Sequence, residues 1–194
     1  MEDIDIEKLK TDPEFLENLV KLESEMNSEE SIAKGYHLLD AKLAIGADED
    51  GINDVFTFIV NTAFNKLSDK LTRFEGFDLT DVEDFATSRA IYEHAIQRYS
   101  ENDKKGSKEM FLVLHHTLSD DELKDAMMIH ACAVMAGHSF EEFIENLAYT
   151  DEMDPNDPKS VFVTTFQQPN DILLQMFSKF VKEGKEELKV LEKK

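Results

Sequence analysis

The chain has 194 residues, 41% of them apolar and 14 of them phenylalanine, enough to bury a core as one domain or two small subdomains. Its 42 acidic and 21 basic side chains leave a net charge of −21, a field that repels nucleic-acid phosphates and anionic lipid heads and attracts basic partners. No apolar run approaches the roughly 18 residues of a membrane span, MEDIDIEKLK lacks the apolar core of a secretory signal, and a lone Cys132 excludes an internal disulfide, so a cytoplasmic protein is expected.

Helical periodicity runs through most of the chain. Asp12-Pro13 supplies an N-cap and a first-turn proline ahead of Phe15, Leu16, Leu19, Val20 and Leu22. Ser28 is read as opening a second helix through Ile32, Tyr36, Leu39, Leu43 and Ile45, stopped at Gly46. After the acidic turn Asp48-Glu49-Asp50-Gly51, a third helix carries a broad apolar face from Val55 and Phe56 to Leu67 and Leu71. The loop Phe74-Glu75-Gly76-Phe77-Asp78 is the expected boundary, giving an N-terminal helical segment over 1–78 and a second region over 79–194.

Beyond that loop, Thr80 with Glu83, Ser119 with Glu122 and Ser139 with Glu142 have capping-box spacing, which predicts a series of helix starts. The β-branched run Ser160–Phe166 reads as a short strand or a poor helix. Asn170 is expected to cap a last helix through Leu173, Phe177 and Val181, weakened at Gly184.

From Lys124 the chain runs KDAMMIHACAVMAGHSFEEFIENLAYTDEMDPNDP: two amphipathic patterns meeting at Gly137-His138-Ser139 and leaving through Asp154-Pro155-Asn156-Asp157-Pro158. Met127, His130, Ala131 and Val134, followed by Phe140, Phe143, Leu147 and Pro155, resemble the packing positions of a tetratricopeptide repeat, with Phe143 where a small residue is usual. An earlier copy is read in Tyr92, Ala95, Ile96 and Tyr99 with Ser107, Phe111 and Leu114. Over residues 88–166 the arrangement is similar to class II chaperones of type III secretion systems. The resemblance implies an all-α fold, a right-handed stack of antiparallel helix hairpins, and a groove that holds a segment of a client protein.

In such a stack the partner-binding groove is lined by Asp125, Met128, Cys132 and Met135 from the later copy and by Glu93 and Gln97 from the earlier one. Adaptable methionines beside carboxylates suit an apolar peptide with a few basic residues. The competing reading packs Met128, Cys132 and Met135 against residues 159–181 as ordinary core.

Signatures of chemistry are missing. None of the six histidines follows a glutamate by three residues, HExxH is absent, and His115 and His116 diverge by about 100° on a helix. The turn at Asp48–Gly51 fails as a calcium loop, because Gly46 and Thr57 would fall at ligand positions. There is no GxGxxG, phosphate-binding GK[ST] or GxSxG, so no metal, no cofactor and no catalytic residue is assigned. The expected function is a non-catalytic protein- or peptide-binding module, a cytoplasmic chaperone or adaptor that binds neither nucleic acid nor membrane. Two alternatives come from other classes: an acidic mimic of nucleic acid that blocks a basic partner, and an enzyme whose site is scattered over a helical bundle.

Overall fold

The computed structural model describes residues 6–151, 154 and 157–192. Every regular element among them is helical. The chain divides into two compact units, Met1–Leu67 and Ser68–Lys194.

The first unit holds α1 (Ile6–Leu9), α2 (Pro13–Glu29), α3 (Ile32–Ala44) and most of α4 (Glu49–Arg73). Asp12 starts α2 as expected, its carboxylate accepting from the amides of Glu14 and Phe15. Ser28 does not open α3, because α2 continues through it. The cap is Ser31, whose hydroxyl accepts from the Lys34 amide after the chain turns at a left-handed Glu30. Met26, Ile32, Tyr36, Leu38, Val55, Ile59 and Ala63 are buried. Gly35 allows the closest approach in this core: a Cβ there would stand 2.8 Å from the Ile59 side chain.

The expected boundary after Asp78 is displaced to Leu67–Ser68, inside α4. The last turns of α4 belong to the second unit because Lys70 Nζ reaches the Asp84 carboxylate at 2.7 Å and the Gly76 carbonyl at 3.1 Å.

The second unit continues with α5 (Val82–Ser100), α6 (Lys104–Thr117), α7 (Asp121–Ala136), α8 (Phe140–Asn146), a 3-10 turn at Pro158–Val161, α9 (Asn170–Met176) and α10 (Ser178–Glu192). Short connections fold α5, α6 and α7 antiparallel. Asp81 and Asp120 cap α5 and α7, each one residue after the serine or threonine that the spacing selects. Ser139 and Glu142 do form a reciprocal capping box at α8. Ser139→Ala is expected to cost about 1 kcal/mol in urea unfolding of this unit.

The run after α8 is neither strand nor helix. It makes the 3-10 turn and then one antiparallel bridge, Ala148 to Phe166. Pro155 and Asn156 of the DPNDP exit lie outside the described residues, while Asp157 caps the 3-10 turn that Pro158 begins, its carboxylate accepting from the Lys159 amide.

The packed helix pairs are α5–α6 and α6–α7, with α9 and α10 also on α7 and α8 against α5. α8 has only seven residues. The α7–α8 pairing that a repeat hairpin would hold along its length is not among the close pairs. The second unit is an all-helical bundle around α7, in which Ala126 through Val134 are buried without a gap.

Candidate functional site

From Ala126 to Val134 α7 is buried on every face, and a helix segment of that kind needs neighbours all round. On the α5 side it meets a cluster of rings. His130 lies 4.9 Å from Phe111 and 4.7 Å from Phe143, centroid to centroid, with Tyr92 at 5.5 Å and Phe166 at 5.8 Å. His130 Nδ1–H donates to the Ala126 carbonyl at 2.7 Å. A carbonyl only accepts, so Nε2 carries the lone pair and takes the Tyr92 hydroxyl proton at 3.1 Å. The Tyr92 oxygen in turn accepts from the Val163 amide at 3.0 Å. Burial holds His130 neutral and pushes its pKa down to about 4, and it raises that of Tyr92. Every polar atom of this chain of bonds has a partner, and together the bonds pin α5, α7 and the segment at Val163 to one another.

The opposite side of α7 faces a cleft that it forms with α6. α10 lies in this cleft. The stripe Phe177, Val181, Gly184, Leu188 and Leu191 turns inward, with Gly184 and Leu188 buried, while the charged residues of α10 point to water. A Cβ on Gly184 would lie 2.8 Å from Leu112 Cδ2, 3.5 Å from Met128 Sδ and 3.6 Å from Met135 Cε. Glycine is what lets the helix backbone sit down on α6 and α7. Lys108 of α6 holds Glu187 of α10 at 2.6 Å, which sets the register.

The six residues assigned to an open groove do not form one. Met128 and Cys132 are buried where α10 covers α7, and Met135 is half-buried beside Gly184. Both α9 and α10 pack on α7, so the cover combines part of 159–181 with the rest of α10. Burial, with Glu183 of α10 adding to it, pushes the Cys132 thiol up to about 12, so it is an inert thiol. Asp125 is half-buried near His115. Glu93 and Gln97 stand on α5, whose close partners are α6 and α8, and they pair along their own helix with Arg89 and Glu101.

Gly184 reads from sequence only as a weak point of the last helix, and Leu188 and Leu112 carry no sequence signal for the site. The signal for α10 was present in its narrow apolar stripe, whereas the choice of cleft has no local signature.

A second concavity, about 410 Å3, opens where α10 passes the ends of α6 and α7. His115, His116, Lys124, Lys185, Leu188 and Lys189 line it. Among the described residues, no group of three or more His, Cys, Asp or Glu side chains is placed to hold a metal ion, and no helix is long and apolar enough to cross a membrane. No protein-family model matches the chain, and no curated protein or solved structure does either.

Proposed function

We infer that this chain is a non-catalytic binding module that takes an amphipathic helix of a protein partner into the α6–α7 cleft. One observation carries the reading: the cleft is already filled by such a helix, the chain's own α10, seated on Leu112, Met128 and Met135 through Gly184. Helix-in-groove recognition uses anchors spaced as in Val181, Gly184 and Leu188, and methionine-rich walls adapt to more than one guest. The net charge of −21 would speed encounter with partners carrying basic flanks. A cytoplasmic chaperone or adaptor, as the tetratricopeptide resemblance suggests, is the role we favour, with α10 holding the place of the guest until one arrives.

The test uses a defined guest. In Leu188→Asp, a charge replaces the buried anchor of α10, so that helix loses its seat. A labelled peptide of residues 178–192 should then bind the variant in the micromolar range. The wild type should not bind it, because a tethered α10 competes at a high effective concentration. Capture that survives a rise from low to moderate salt would separate apolar recognition from charge mimicry. A folded variant that ignores the peptide would remove the proposal.

A further inference from the structure

The pocket beside α10 supports an inference that stands apart from the cleft reading. Five of its six lining side chains are lysine or histidine, in a chain of net charge −21. They converge from three helices: His115 and His116 from α6, Lys124 from α7, and Lys185 and Lys189 from α10. Gathering like charges around a concavity is unfavourable unless something neutralises them.

The internal counter-charges, apart from the half-buried Asp125, are solvated. Lys124 stands 3.7 Å from Asp121, whose side chain is 98% exposed. Lys189 pairs with Glu186, also mostly in water. Lys185 has no carboxylate at ion-pair distance among the described residues. Such solvated carboxylates are released at little cost when a better anion arrives.

His115 adds direction. Its Nδ1–H donates to the Lys124 carbonyl at 2.8 Å, so Nε2 is the nitrogen that takes up a proton. Burial first, then the charges of Lys185 and Lys124, hold its pKa below the usual value, while the Lys124 carbonyl and Asp125 act the other way. His116 on α6 and Lys189 on α10 line the same pocket, and the carboxylates of Asp121 on α7 and Glu186 on α10 pair with Lys124 and Lys189. An anion that neutralises the lysines would raise the pKa again and gain a donor from the imidazolium.

The geometry points to a binding site for a small phosphate-bearing anion, gripped by Lys124, Lys185 and Lys189 with His115 and His116 alongside. Three ammonium groups exceed what a single carboxylate neutralises. A phosphate brings close to two negative charges and three acceptor oxygens. A soluble ligand is favoured over a lipid head, because the acidic remainder of the chain repels an anionic bilayer. Since the lysines lie on both sides of the seam, a bound dianion would also bridge α10 to α6 and α7. That clamp, unlike the site, rests on the cleft reading.

The intact chain is titrated with inorganic pyrophosphate near neutral pH while the His115 ring is followed by NMR. A saturable shift with a raised His115 pKa is expected, and Lys185→Glu should weaken binding about tenfold or more while Lys185→Arg retains it. Lys185 is exposed, so neither change threatens folding. No saturable response at His115, unchanged affinity in Lys185→Glu, or a response confined to phosphatidic-acid vesicles would overturn the site. Slower hydrogen exchange in α10 on binding is expected from the clamp, and binding with unchanged exchange would refute it. Neither outcome depends on whether the 178–192 peptide is captured.

Discussion

Gly184→Leu is expected to lift α10 from its cleft while α5, α6 and α7 stay folded. Even a Cβ at this position would stand 2.8 Å from Leu112 Cδ2, and Leu112 is itself buried, so three further carbons have nowhere to go. Overpacking of this kind costs typically 1–3 kcal/mol. The better helix propensity of leucine returns somewhat under 1 kcal/mol. Local release is the cheaper response, because α10 buries little beyond Gly184 and Leu188, whereas α7 is buried along most of its length. Amide exchange over residues 178–192 should quicken by roughly tenfold or more, and an apolar dye should find Met128 and Met135. Gly184→Ala should quicken exchange far less than the leucine, since its single methyl displaces only the end of the Leu112 side chain. Equal protection of α10 in the leucine variant and the wild type would show that α10 is not seated through that contact.

The largest pH effect is expected from His130. Its pKa is about 4 in the folded chain against an ordinary 6.5, so the unfolded chain binds the proton more readily. Above pH 6.5 both states are neutral and the stabilisation is complete. Stability then falls with pH until the folded pKa is reached. Between pH 7 and pH 5 this one group should remove about 2 kcal/mol, and nearly 3 by pH 4. The upper window is the practical one, because the sequence pI is about 4.5 and solubility falls there. His130→Gln keeps a neutral side chain that can accept from Tyr92, so urea unfolding of that variant should show a slope flatter by about the same amount. A slope identical to the wild type would mean that His130 takes up its proton without unfolding.

How much of this was legible in the residues varies from element to element. Asp12-Pro13 and the Ser139–Glu142 box were readable because both use short-range hydrogen bonds fixed by spacing alone. Thr80 and Ser119 were one residue early, since Asp81 and Asp120 offer the better acceptor next door and only the backbone path decides between them. Ser28 and Ser31 pose the same ambiguity, resolved by the left-handed Glu30 that no spacing rule foresees. The groove reading failed at Met128 and Cys132 for a different reason. The run Ala126–Val134 is apolar on all sides, which describes a central helix better than a groove wall. Which segment covers it depends on pairing distant in sequence, and a glycine at position 184 reads locally as a weakness before it reads as a seat.

Cys132 is the only thiol in the chain, and it lies where α10 covers α7. That position makes it a natural stopwatch. An alkylating reagent can touch the sulfur only during excursions that uncover it, so the labelling rate counts how often the door swings open. A guest that keeps the door ajar without shielding the sulfur would quicken the reaction, and a bolt across it would slow it, with no foreign probe attached.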